Sequence, residues 1–185
     1  KDLTLGLLLL EDFGDVVLST LLDDTTVDQY YAQSFKQLIE LQQIDGKDHF
    51  PAYSYEKLMT EMRLLTEWML PSLNIQPTEQ QLETIEQAFD FLAIEATHQP
   101  QVIVHRDFHS RNLMKIDNEQ ELGVIDFQDA VIGADTYDLI SITRDAYVQW
   151  NAARVYGWFE VFYNLLPATA KENRSFEQFK RDADF

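Results

Sequence analysis

The 185 residues are 45% apolar and 12% aromatic, enough for one domain with a sizeable core and too apolar for a disordered chain. Fourteen basic against 32 acidic side chains leave a net charge of −18, which argues against nucleic acid or an anionic membrane as a partner, since both select basic patches. There is no cysteine, so neither a disulfide framework nor a cysteine-based zinc site is available, and a cytoplasmic location fits.

Apolar runs such as Leu7 to Leu10 are far too short to span a bilayer, and no signal-peptide pattern precedes them. The sequence starts without Met and stops inside a charged amphipathic pattern, so we expect a piece of a longer protein. Leu5 to Leu10 reads as a buried strand or its end, followed by a polar turn from Glu11 to Asp15 in which Gly14 supplies a positive φ. Asp23 to Thr26 offer capping groups for a helix with Val27, Tyr30, Tyr31, Ser34, Leu38 and Leu41 at helical spacing. Ser54 caps the next helix, whose inward stripe is Tyr55, Leu58, Met62, Leu65 and Met69, with Pro71 stopping or bending it. Thr78 and Gln81 fit a capping box for a long helix facing a core through Leu82, Ile85, Phe89, Leu92 and Ala96, ended by Pro100. Further on, Asp135 is a plausible cap for a helix with Leu139, Ile142, Ala146 and Trp150 inward. Val155 to Leu166 reads as an aromatic-rich helix broken by Pro167, and Ser175 to Asp184 as one more.

Between these helices lies the stretch that carries chemistry, Val102 to Asp129. Val102 to Val104 is a short apolar run that delivers His105, Asp107, His109 and Asn112. Leu113 to Ile116 is a second run, Asp117 and Asn118 make a turn, and Leu122 to Ile125 delivers Asp126. Three acid or amide groups thus sit at the ends of adjacent short strands. Phosphoryl transfer needs a carboxylate to take the acceptor's proton and hard oxygen ligands to hold Mg²⁺ against the triphosphate. Asp107 supplies the first; Asn112 and Asp126 supply the second, since Mg²⁺ keeps several waters and needs few protein ligands.

H-R-D-x-x-x-x-N, then strand, turn, strand and D-F, matches the catalytic and metal loops of the protein-kinase-like fold. The second histidine, in H-x-D-x-H-x-x-N, resembles the aminoglycoside phosphotransferase and choline kinase branch, whose members phosphorylate small molecules. The wider strings H-R-D-F-H-S-R-N-L-M, I-D-F-Q-D-A and T-Y-D-L-I-S are similar to the bacterial kinases of that family that act in cell-wall recycling on the anomeric hydroxyl of N-acetylmuramate and N-acetylglucosamine. The resemblance implies an α+β, mainly α fold, the C-terminal lobe of the kinase-like fold, with short strands around the catalytic loop. It implies ATP and Mg²⁺ as cofactors and a small-molecule substrate; the oligomeric state stays open. By the same resemblance, Asp107 is the base, Asn112 and Asp126 hold Mg²⁺, and His109 sits beside the transferred phosphoryl or steadies the loop. Leu10, Glu11, Asp12 and Phe13, in L-L-L-E-D-F, resemble the connector between lobes that contacts the adenine, and Asp138 resembles the buried acid that anchors the catalytic loop.

Residues 1–15 then form the connector and 16–185 the helical lobe. No G-x-G-x-x-G or G-x-x-x-x-G-K-[ST] occurs in the sequence, so the nucleotide-covering lobe is expected elsewhere and the 185 residues alone are expected to be nearly inactive. Other positions carry two readings. His105 packs the loop or joins the chemistry; Glu67 and Trp68 line a sugar site or belong to an ordinary helix face. Asp129 touches substrate or is a solvated turn acid; Arg144 and Asp145, on the helix after the metal loop, bond substrate or their neighbours. Competing functions are an aminoglycoside, choline or other small-alcohol kinase, favoured by the acidic surface, and a non-catalytic pseudokinase scaffold, disfavoured by the joint presence of Asp107, Asn112 and Asp126. A third is a metal-dependent hydrolase using His105, Asp107 and His109 along a strand, which would need histidines that do not follow His109.

Overall fold

The computed structural model describes residues 2, 4–7, 9–116 and 121–185. Residues 27–42 place apolar side chains every three or four positions and form α1 (Val27–Gln42), which buries Val27, Tyr31, Phe35, Leu38 and Ile39. The Asp23 carboxylate accepts the backbone N–H groups of Thr25 and Thr26 at 2.7 and 2.9 Å, fixing the turn that enters this helix. Those hydrogen bonds hold the Asp23 carboxyl down at about 2.

The next pair of helices forms an arm. Ser54 caps α2 (Tyr55–Met62) by accepting from the Lys57 backbone N–H. A π-turn, Leu65–Met69, then leads into α3 (Leu70–Ser72). Its cause is Pro71, which has no N–H to give the Glu67 carbonyl, so Leu70 donates one residue further back, to Leu65. The extra residue rotates the stripe. Met69, expected inward, is exposed, and Met59 takes the buried position instead. Thr78 and Gln81 form the expected capping box on α4 (Glu79–His98). Phe89 and Ala93 of α4 meet Met59 in a separate apolar cluster flanked by Tyr55, Leu58, Met62, Leu65 and Ile85. Leu82 is exposed, because the first turns of α4 run past that cluster.

Four short strands follow: β1 (Gln101–Val104), β2 (Leu113–Lys115), β3 (Leu122–Val124) and β4 (Val131–Ala134). They form two separate antiparallel pairs, β1 with β4 and β2 with β3. The expected turn at Asp117 and Asn118 lies outside the described residues. β4 has no counterpart in the sequence reading, because four residues ending in Gly-Ala show no alternation to read.

Beyond β4, α5 (Tyr137–Thr143) is shorter than its spacing suggests, so Arg144, Asp145, Ala146 and Trp150 lie after the helix rather than on it. Asp135 does not cap it. That side chain is buried and paired with Arg174 at 2.6 Å. The chain ends with α6 (Ala152–Leu165) and α7 (Phe176–Asp184), capped by Asn151 and Ser175. The main core gathers Tyr31, Phe35 and Leu38 of α1, Phe108 and Leu113 around the polar loop, Leu139 and Ile142 of α5, Trp158, Phe159 and Phe162 of α6, and Phe179 of α7.

The expected strand at Leu5 to Leu10 is not found. Asp2 pairs with Leu7 around Gly6, whose φ is +65°, and Leu5, Leu7, Leu9 and Leu10 are exposed because no described element packs over them. Leu8 lies outside the described residues.

Candidate active site

Val104 is fully buried, and the chain turns sharply as it leaves β1. Asp138, in the first turn of α5, accepts the backbone N–H of His105 at 2.7 Å and of Arg106 at 3.0 Å. Burial pushes the Asp138 carboxyl up to about 7 against the opposing pull of those two N–H groups. Asp145, just past the other end of α5, accepts the N–H of Ser110 and of Tyr147, both at 2.8 Å. The loop from 105 to 110 is thus suspended from two buried carboxylates that bracket one short helix.

Within this loop Asp107 and Asn112 close on each other. The Asp107 carbonyl accepts from the His109 backbone N–H and from the Asn112 Nδ2, each at 3.0 Å. Asn112 Nδ2 also lies 3.4 Å from Asp126 Oδ2, and the Asn112 carbonyl accepts the Ile125 N–H at 3.1 Å. Asp107, Asn112 and Asp126 are therefore brought together, although β1 and β2 belong to different sheets. Arg106 and Asp126 both have left-handed backbones, with φ of 78° and 71°. For residues with a Cβ this costs about 1–3 kcal/mol each and persists only where the surroundings hold it.

The donor set fits Mg²⁺. The amide nitrogen of Asn112 is engaged by the Asp107 carbonyl, so its oxygen is the end left to face a cation, next to the exposed carboxylate of Asp126. Both are hard oxygen donors of the kind this ion takes.

His105 is 1% exposed, packs edge-on to Phe108 at 6.0 Å, and neither ring nitrogen has a hydrogen-bond partner. Burial lowers its basicity, so it is held neutral. The loop is irregular here, so His105, Asp107 and His109 do not share a strand face as the hydrolase reading requires. Among the described residues no cluster of three His, Asp or Glu side chains suits a metal ion. His109 lies edge-on against Tyr147 at 5.1 Å, and the Arg111 guanidinium stacks on the same ring at 3.8 Å.

The remaining candidates are spread out. Leu10 and Glu11 are exposed and irregular; Asp12 accepts the Gly14 N–H at 2.8 Å; Phe13 presses its ring on Gly123 of β3. Glu67 and the 70%-exposed Trp68 sit on the π-turn, away from the loop's anchors, and Asp129 is exposed in a turn. Arg144 pairs with Asp184 and lines a cavity of about 550 Å³ between α2, α4, α5 and α7, together with Tyr53, Glu61 and Tyr137. The roles of Asp145 and Glu61 were not legible beforehand. Asp145 leaves a faint local signal, an acid two residues before Tyr147 suited to a side-chain turn; Glu61 leaves none.

Residues 2–172 match the phosphotransferase enzyme family. The chain belongs to that family. The whole chain is 34% identical to the N-acetylmuramate/N-acetylglucosamine kinase of Pseudomonas putida, of which it covers 54%. The kinase of the same name from Neisseria meningitidis is 34% identical over 80% of this chain and 46% of its own length. The chain spans about half the length of these relatives. Among solved structures, the Plasmodium vivax ethanolamine kinase superposes on 92% of this chain and 52% of its own with a TM-score of 0.62 at 13% identity. An ADP-bound aminoglycoside phosphotransferase does so on 89% and 58% with a TM-score of 0.57 at 18% identity. This phosphotransferase-family chain is the mainly helical α+β lobe of a protein-kinase-like fold.

Proposed function

We propose that this chain is the acceptor-side lobe of an ATP-dependent kinase that phosphorylates the anomeric hydroxyl of an amino sugar, N-acetylmuramate or N-acetylglucosamine, in cytoplasmic cell-wall recycling. The observation that carries the reading is Asn112, whose amide joins the Asp107 carbonyl and the Asp126 carboxylate in one turn. Asp107 orients the acceptor hydroxyl and takes its proton. Asn112 and Asp126 would hold Mg²⁺, which when bound offsets the charge of the nucleotide phosphates. Asp138 and Asp145 keep the loop in place, and His109, braced on Tyr147, steadies it or faces the phosphoryl group. The two 34%-identical relatives support the amino-sugar acceptor. Residues 1–15, with Leu10 to Phe13 toward the adenine, would connect this lobe to a nucleotide-covering one. Glu67, Trp68, Asp129 and Arg144 remain candidates for acceptor contacts.

A cationic alcohol is the second reading, favoured by the net charge of −18. An acceptor panel with the full-length protein, scored by ADP release, separates the two. Turnover is expected on N-acetylmuramate and N-acetylglucosamine. Activity on an aminoglycoside or choline with none on the amino sugars would reverse the assignment. The isolated 185 residues are expected to be nearly inactive, and turnover at roughly 1–100 s⁻¹, an ordinary kinase rate, would refute the two-lobe reading.

A further inference from the structure

Arg106, the residue before the proposed base, is held at both ends. Its backbone N–H goes to Asp138, and its φ of 78° is one that a side chain with a Cβ rarely adopts. Its guanidinium reaches out of the loop to the helical arm. There Arg106 Nη2 meets Glu61 Oε1 of α2 at 2.8 Å, and the guanidinium carbon lies 5.2 Å from the centre of the Tyr53 ring. The Tyr53 hydroxyl in turn donates to the other Glu61 carboxylate oxygen. Glu61, Tyr53 and Arg106 thus close a triangle, with side-chain exposures of 32% for Glu61 and 21% for Arg106. Two of its members, Tyr53 and Glu61, line the 550 Å³ cavity under the arm.

An exposed ion pair is worth little, but this one differs in two ways. The guanidinium is stacked on an aromatic face and half-withdrawn from water, which strengthens the contact. It also restrains a residue whose backbone is strained and whose next neighbour is Asp107. Resting on the kinase reading above, we infer that Glu61 is a positioning residue: through Arg106 it fixes the backbone that carries the proposed base and ties it to the wall of the cavity. It touches no reacting atom. Removing its charge lets Arg106 swing, and small displacements of a reacting group are costly in rate.

The test is a double-mutant cycle in the full-length protein with its amino-sugar acceptor. Glu61→Gln keeps the shape of the side chain. It is expected to lower kcat by ~10-fold while the acceptor KM stays within ~2-fold, and to change kcat by less than ~2-fold once Arg106→Gln is already present. Wild-type kcat in Glu61→Gln would overturn the inference. So would a loss carried by KM, which would make Glu61 an acceptor contact, or an undiminished loss in the Arg106→Gln background. If Glu61→Gln does not fold, Arg106→Lys, which keeps the charge and drops the planar fork, is read the same way: a fall in kcat supports the inference and wild-type kcat overturns it. A folded full-length wild-type protein inactive on every acceptor would overturn the kinase reading, and the inference with it.

Discussion

Asp138 Oδ2 accepts the His105 backbone N–H at 2.7 Å from a side chain that no solvent reaches. The neighbouring oxygen takes Arg106, so the carboxylate serves two donors that nothing else in the loop satisfies. Asp138→Asn leaves one oxygen and turns an NH₂ toward the second N–H. An unmet buried donor costs about 1–3 kcal/mol. Chemical denaturation should report a loss of that order, with kcat falling further than a uniform loss of folded protein explains.

The same residue predicts a pH dependence. Its carboxyl sits at about 7 in the folded chain against 3.8 as the ordinary value, so between those limits the folded state holds more protons than the unfolded one. Its contribution to stability is therefore greatest at low pH and is lost as pH rises toward 7. Buried His105 acts in the opposite sense: the unfolded chain takes up its proton first as pH falls below the ordinary histidine range. Comparing wild type with Asp138→Asn cancels the His105 contribution. The stability gap between the two should narrow from pH 5 to pH 7, measured by urea unfolding; a gap that widens would refute the assignment.

Asp107→Asn in the full-length protein should abolish turnover while nucleotide binding survives. Removing a general base alone costs ~10²–10⁴-fold. Unchanged turnover would remove Asp107 from the mechanism; calorimetric titration with nucleotide checks that the rest of the site is intact.

The site was more legible than the frame around it. Asp107, Asn112 and Asp126 are spaced by loop and hairpin lengths that leave little freedom, and the structure brings them together. Capping boxes such as Thr78 with Gln81 are local and were read correctly. What failed depends on distant partners. Asp135 has the chemistry of a helix cap, but Arg174, 39 residues away, claims it. Met69 fits a stripe of 3.6 spacing until the missing N–H of Pro71 inserts a π-turn. The apolar run at Leu5 to Leu10 looks like core, yet burial depends on what lies opposite, and no described element does.

Arg174 is the strongest candidate for a structural staple. Its side chain is 6% exposed and reaches Asp135, 3% exposed, at 2.6 Å, and Asp182 of α7 at 2.7 Å. Burial pushes the Asp135 carboxyl up, and Arg174 opposes that rise. Arg174→Met strands the buried carboxylate and should cost about 3–5 kcal/mol. Adding Asp135→Leu should recover a substantial part, as urea denaturation of both variants would report.

Gly123 tests whether the segment before α1 is docked on the lobe. A Cβ there would fall 2.5 Å from the Phe13 ring, closer than any side chain tolerates. Gly123→Ala should destabilise the protein by about 1–3 kcal/mol, the cost of overpacking. Phe13→Leu in the same chain should relieve part of it, because a smaller side chain leaves room. A thermal melt that is unchanged by Gly123→Ala would place Phe13 elsewhere.

The arm formed by α2, α3 and α4 carries its own apolar nucleus in Met59, Phe89 and Ala93, distinct from the nucleus that supports the two loop anchors. Its side-chain link to the loop runs through Glu61, while Asp138 and Asp145 hold the loop from α5 and the segment after it. Selectivity and chemistry are therefore inherited from separable parts. A lineage can remodel the arm to accommodate a new acceptor while the proton-accepting machinery keeps its coordinates, provided that a residue able to grip Arg106 survives the exchange.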